Sequence, residues 1–353
     1  MSTASDHVVA RRTGDDRPPE AASQPTTRVP LAVWVERYAL LAIIVVICIF
    51  FSLFTESATV FPTAANIRTV LSNQAVIVVL ALAFLFPIAA GYFNFAVASL
   101  ASLCTVVTAA VMADAGLSLA AAVTASILFG GVIGAVLGVL VTYCRLNPFI
   151  VTLGAATVFG GLMQLYTDGV QISGVSTNLT AFGSLQWFGI PRILYAVAVI
   201  AAVSWYLLGA TPYGRRLYAV GANPRAAHLV GMRVERIVLM SFVISGVLAG
   251  IAGVLIVARF GTSDSSNGLE RLFPAVTAVL LGATAVHPGR FNVPGTLLGV
   301  LLLAVSVSGL ILAGAEAWVE PVFNGTVLIV ATGISAVIIR RRSPDGAGGG
   351  PTL

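Results

Sequence analysis

Between two polar ends the chain alternates long apolar runs with short polar links. Ten apolar stretches stand out, at approximately 38–54, 67–90, 94–113, 118–142, 149–166, 191–208, 237–258, 273–285, 295–313 and 321–339. A helix rising ~1.5 Å per residue needs about 20 apolar residues to cross the hydrocarbon layer of a bilayer. Most of the stretches meet that length. The stretch 273–285 does not, and it reads as a broken or half helix. Pro87, Gly91, Pro148 and Pro274 interrupt the set. Breaks at membrane depth survive where the freed backbone faces protein or a water-lined cavity. Gly130, Gly134 and Gly138 fall on one helix face, a spacing that permits close helix packing and that chance also produces in a chain with 35 glycines. The pattern predicts an all-α polytopic membrane protein of about ten transmembrane helices, some broken or short.

Arginine placement orients these helices. Ten crossings from a cytoplasmic N-terminus put both termini inside. The inner links then hold Arg145, the group Arg215, Arg216, Arg225, Arg233 and Arg236, and Arg290, while the arginine triplet 340–342 follows the last stretch. The outer links hold Glu56, Asp114, Asp168, Asp264, Glu270, Glu316 and Glu320, with Arg192, Arg259 and Arg271 as exceptions. This is the positive-inside bias of membrane proteins. Residues 1–36 are rich in Pro, Ser, Thr, Asp and Arg, which predicts a disordered cytoplasmic tail. Residues 37–339 form the transmembrane domain, with a cytoplasmic loop at about 211–236. Residues 340–353 are a second cytoplasmic tail.

Composition narrows the chemistry. Only 9% of the 353 residues are charged and 58% are hydrophobic, against about 25% charged in a soluble domain. Nucleic-acid binding and soluble catalysis are set aside, and membrane lipid is the surrounding partner. All 19 basic residues are arginine. Without lysine the chain has neither a phosphate-binding P-loop of its own nor a Schiff-base nucleophile. Cys48, Cys104 and Cys144 are far apart and His7, His228 and His287 are scattered, so no metal site, disulfide framework or cofactor is expected. No Asp, Glu, Arg or His lies well inside any of the ten stretches, whereas ion-coupled transporters and pumps place such groups at membrane depth. Sodium sites built from backbone carbonyls stay open; without them, uphill transport by this chain would draw its energy from another subunit.

The segment Thr211–Val238 is the most informative polar piece. Asn223 followed by Pro224 signals an N-cap and a first helical residue, and Gly231 suits a left-handed helix end. The expectation is a two-turn helix over Arg225–Val230, flanked by arginines. A topology-setting loop near anionic lipid accounts for the charge. A capped helix between two glycines points further, to docking of a cytoplasmic partner.

Three motifs in order carry a resemblance. They are Asn147-Pro148-Phe149-Ile150-Val151-Thr152-Leu153-Gly154 with Thr167-Asp168-Gly169; Tyr213-Gly214-Arg215 with Tyr218-Ala219-Val220-Gly221-Ala222-Asn223, Ala226-Ala227 and Gly231; and Leu281-Gly282-Ala283-Thr284 through Pro288-Gly289-Arg290-Phe291-Asn292-Val293 to Gly295-Thr296. Over roughly residues 38–339 the chain resembles the membrane-spanning permease subunit of bacterial ABC sugar importers of the ribose/xylose/arabinose type. It departs from that family at the G-x-x-D-L-S-V-G signature, where it reads Gly91-Tyr92-Phe93-Asn94-Phe95-Ala96-Val97-Ala98. Asn94 replaces the carboxylate, keeping hydrogen-bonding capacity without charge. Asn94 also reads as a cap beside Gly91. The pattern Gly-x-Phe-Asn recurs at Gly289–Asn292, a coincidence by itself.

The resemblance implies a transport subunit that is not itself an enzyme. Its expected partners are an ATP-binding-cassette ATPase subunit, a second permease chain (identical or different) and an extracytoplasmic solute-binding protein. The location implied is the bacterial cytoplasmic membrane, and the solute a sugar or sugar-like molecule. Tyr92, Phe93, Asn94, Phe149 and Thr152 are candidates for the translocation path. Gly221, Asn223, Arg225, Ala226, Ala227 and Gly231 are candidates for ATPase docking. Permeases for branched-chain amino acids or nucleosides share the architecture, and a stand-alone channel or facilitator would dispense with the docking helix. An integral membrane enzyme is a poor fit, because its candidate polar groups, Asp168 and Arg290, fall on opposite sides of the membrane.

Overall fold

The structure, a computed structural model, describes residues 31–54, 58–264, 266 and 268–342. The predicted tails 1–36 and 340–353 lie largely outside these residues. Ten helices form the bodies of the ten apolar stretches: α1 (Leu31–Leu53), α2 (Ala64–Ala89), α3 (Val97–Ala113), α4 (Leu119–Thr142), α5 (Pro148–Thr167), α7 (Arg192–Gly209), α10 (Val234–Phe260), α11 (Leu269–Gly282), α12 (Val293–Leu312) and α13 (Val319–Arg342). Three shorter helices, α6 (Thr177–Ser184), α8 (Pro212–Ala222) and α9 (Pro224–Leu229), occupy the links. A two-residue hairpin pairs β1 (Gln186–Trp187) with β2 (Ile190–Pro191). Among the described residues, six helices (α2, α4, α5, α7, α10 and α12) are long and apolar enough to cross a membrane, and α1, α3 and α13 contain shorter apolar portions. The chain is a multi-pass membrane protein. At 14 residues, α11 spans only about 21 Å, which is the short segment the sequence predicts.

Helix starts follow local chemistry. Thr63, Ser118, Asn147, Thr211, Asn223 and Asn292 each accept a backbone N–H from the first turn of α2, α4, α5, α8, α9 and α12, satisfying donors that have no partner within the helix. Pro148, Pro212 and Pro224 occupy first helical positions, where the missing N–H costs nothing.

The core forms around α2 and α10. Every residue from Val79 to Ala90 is buried, and α10 packs against α2, α3 and most extensively α4. The α4–α10 contact is built from glycine. A Cβ at Gly130 or Gly134 would collide with the backbone of Gly246 or Phe242, and one at Gly246 would collide with Gly130. The resulting approach lets Ser126 Oγ donate to Gly250 O at 3.0 Å across the two helices. The glycine spacing on α4 is therefore a packing face.

The three arginines that break the charge bias all have local partners. Arg271 pairs with Asp264, Arg259 donates to Asn73 Oδ1 at 2.9 Å, and the Arg192 guanidinium lies 4.8 Å over the Trp187 ring. Asp264 also accepts from Ser102 Oγ at 2.9 Å, and its backbone N–H donates to Thr105. These contacts pin the α10–α11 link to α3.

Candidate functional site

The α2–α3 link is the centre of the predicted path. Turn bonds from Ala90 and Tyr92 to Pro87 O and from Gly91 to Ile88 O close the end of α2. Gly91 then takes φ +86°, a left-handed conformation that a residue with a Cβ rarely adopts. The chain runs without helix to Val97. Asn94, on this stretch, is 1% exposed. Its Nδ2 donates to Ser245 Oγ of α10 at 3.0 Å, while its Oδ1 is buried without a partner among the described residues.

Asn94 is not a helix cap. α3 starts from Ala96 with no side-chain cap, and the Asn94 amide is spent on α10 instead. Capping of that kind belongs to Asn292 in the α11–α12 link. Its Oδ1 accepts from Gly295 N at 2.7 Å, and its Nδ2 donates to Arg290 O at 2.9 Å and Ala285 O at 3.2 Å. Two asparagines in the same four-residue pattern thus differ: Asn292 is satisfied by its own link, whereas Asn94 is half satisfied by a distant helix.

Of the other path candidates, Phe93, Phe149 and Thr152 meet at this break through Phe95. Phe93 and Phe95 stack at 5.6 Å between centroids, Phe149 meets Phe95 edge-on at 5.4 Å, and Phe84 lies 6.0 Å from Phe95. Thr152 accepts from Phe95 N at 3.2 Å and donates to Pro148 O at 2.8 Å, binding the start of α5 to the break. Tyr92 turns the other way. It lines a cavity of about 490 Å³ together with Thr142, Arg145, Asn147 and Glu235 among others. The cavity contains both charge signs and several neutral hydrogen-bonding groups. Phe95, Ser245 and Glu235 were not singled out from sequence. The first two follow a helical or break position only once the helices are packed.

The second element is the link between α7 and α10. Two helices replace the expected single one. In α8, Gly214, Leu217 and Val220 are buried. Gly221 sits so close to Ala89 that a Cβ would strike its carbonyl oxygen. Tyr218 OH donates to Phe291 O at 2.6 Å, with the Arg290 guanidinium 3.7 Å over its ring. Tyr213 OH donates to Ile237 O at 3.4 Å. Burial pushes both phenols above their ordinary range, Arg290 partly opposing this at Tyr218, so both remain protonated donors near neutral pH.

α9 follows the sequence expectation within one residue at each end. Asn223 is extended (φ −158°) and caps Ala226 N at 3.0 Å, and Gly231 has φ +80°. Arg225 and Ala226 are exposed, while Ala227 is buried and faces the protein. Leu229 and Val230, missed as functional candidates, are 86% and 72% exposed at the tip. The signal for them was an adjacent pair of large apolar residues directly before Gly231, at the end of the capped helix.

Comparison with known proteins places the chain in a family. Residues 66–332 match the family model described as branched-chain amino acid transport system / permease component. The chain belongs to this family. Among individual relatives, the permease is similar to the ribose import permease protein of Bacillus subtilis (strain 168), 37% identical over 196 residues, or 55% of this chain and 61% of the relative. The ribose import permease protein of Escherichia coli (strain K12) is 31% identical over 305 residues, covering 84% of this chain and 92% of its own. The D-allose transport system permease protein of the same strain is 29% identical over 294 residues, covering 83% and 89%. No solved structure matches the permease.

Proposed function

We propose that this permease is the membrane-spanning subunit of an ABC importer, moving a sugar or sugar-like solute with energy from a separate ATPase subunit. The observation that carries the reading is the exposed, capped α9, joined through α8 to the α2–α3 break that holds Asn94, in a chain similar over most of its length to ribose and allose permeases. In this reading ten helices cross the membrane with both termini cytoplasmic. Two permease chains assemble with two ATPase subunits, and an external binding protein delivers the solute.

The geometry supports a division of labour. Leu229 and Val230 offer an apolar contact and Arg225 and Arg233 a charged rim, the arrangement of a protein–protein anchor. The Asn94–Ser245 pair and the Phe93–Phe95–Phe149 cluster combine neutral hydrogen bonding with aromatic faces, which suits a neutral hydroxyl-rich solute. The cavity lined by Tyr92, Arg145 and Glu235 serves as the inner vestibule. Asn94, where the resembling family has a carboxylate, keeps the path uncharged at this point.

The test is purification of the tagged chain with its ATPase, followed by uptake in proteoliposomes supplied with ATP and the binding protein. Wild type should retain the ATPase and take up solute. Arg225→Glu with Arg233→Glu should insert normally, lose the ATPase and lose uptake. A wild-type chain that admits solute without any ATPase would make it a facilitator.

A further inference from the structure

The recurrent Gly-x-Phe-Asn pattern becomes meaningful in three dimensions. Gly91 and Gly289 both adopt left-handed backbone, φ +86° and +81°, and each lies in a link between two apolar helices, α2–α3 and α11–α12. Both links touch α8. At one, Gly221 abuts Ala89, and a Cβ on Gly91 would lie 3.9 Å from Gly221 O. At the other, Tyr218 holds Phe291 O through its hydroxyl and Arg290 through its ring. Tyr218 and Gly221 are three residues apart and so share a face of α8. From the far end of the same helix, Tyr213 reaches Ile237 O in the first turn of α10.

These contacts leave little slack. The Gly221 contact is backbone against backbone, with no side chain to give way. The Tyr218 contact joins a hydrogen bond to a cation–π interaction. Asn292 ties Arg290 O and Ala285 O together, so the α11–α12 link moves as one piece. The α2–α3 link is less committed, since Asn94 Oδ1 is buried without a partner among the described residues. An unpaired buried acceptor costs free energy that another arrangement can recover.

We propose that α8 is a yoke: α9 receives the ATPase, and α8 carries its displacement to both links at once, with Tyr218, Gly221 and Arg290 as positioning residues. The inference rests on the importer reading and adds to it a residue-level separation of docking from transmission. None of the three residues need touch solute or ATPase.

The experiment uses the complete transporter in proteoliposomes and measures solute moved per ATP hydrolysed. Tyr218→Ala and Arg290→Ala should keep the ATPase bound and hydrolysis within about twofold of wild type, while the transport-to-hydrolysis ratio falls about tenfold, the equivalent of roughly 1.4 kcal/mol. Tyr218→Phe keeps the ring beneath Arg290 and should fall between them and wild type. A ratio unchanged in both alanine variants overturns the yoke and leaves the importer reading intact. A wild-type chain that neither holds an ATPase nor transports overturns the importer reading itself. Should Tyr218→Ala fail to accumulate in the membrane, Arg290→Ala decides alone, because that side chain is exposed.

Discussion

Replacing Gly250 by alanine probes the contact on which the core depends. The new Cβ would lie 2.5 Å from Ser126 O and 2.9 Å from Ile127 Cα, against about 3.5–4.0 Å for an ordinary carbon contact. α4 and α10 must then part by about 1 Å, and the Ser126–Gly250 hydrogen bond lengthens with them. Overpacking of this kind costs about 1–3 kcal/mol, and an interhelical hydrogen bond in a membrane contributes about 0.6–1.7 kcal/mol. Alanine also gains roughly 1 kcal/mol of helix propensity over glycine. Gly154→Ala supplies the control, since a Cβ there meets nothing within 4 Å. The propensity gain is common to both variants and cancels in the comparison. The expected difference is about 2–5 kcal/mol, a melting temperature in detergent lower by roughly 3–7 °C for Gly250→Ala than for Gly154→Ala. Equal melting temperatures would refute the claim that glycine sets the helix separation.

Three further outcomes are expected. Asn94→Ala deletes the bond to Ser245 and should slow uptake about tenfold in proteoliposomes, the scale of one buried hydrogen bond; undiminished uptake would reduce Asn94 to a spacer. Leu229→Asp should release the ATPase on gel filtration without lowering the melting temperature, because the side chain it replaces is exposed; a complex that stays intact removes the α9 tip from the interface. Burial raises the Asp264 carboxyl, but Arg271 and Ser266 outweigh it and hold the group below its ordinary value of 3.8. A depressed carboxyl stabilises the fold above the unfolded value and loses that contribution as pH falls through the folded one. Wild type should therefore lose more stability than Asp264→Asn when taken from pH 7 to below about pH 3.8, as read by melting temperature. Identical losses would remove Asp264 from the acid response.

The membrane helices were readable because each must be long and apolar on its own account. α8 was not, although Thr211-Pro212 gives it the same start signal as Asn223-Pro224 gives α9. Its surface is mixed, with Arg215 and Arg216 beside Leu217 and Val220, and only the packing of Gly214 and Gly221 against neighbouring backbone explains it. Ala227 belongs to the α9 motif yet faces inward, since motif spacing does not report which side of a short helix meets a partner. Of the two readings of Asn94, the cap fails for a related reason. Its partner, Ser245, lies 151 residues away, beyond any local rule. The glycines of α4 were ambiguous until their complements on α10 came into contact with them.

That complementarity has a consequence for biosynthesis. Gly130 and Gly246 are separated by 116 positions, which a ribosome takes roughly 6–23 s to cover at about 5–20 residues per second. Throughout that interval α4 resides in the bilayer with its grooved face against lipid tails, awaiting a mate not yet translated. The same groove on another nascent chain is a competing mate. Nascent chains arrested before α10 should therefore cross-link to one another through α4, and this tendency should vanish once residue 260 has emerged.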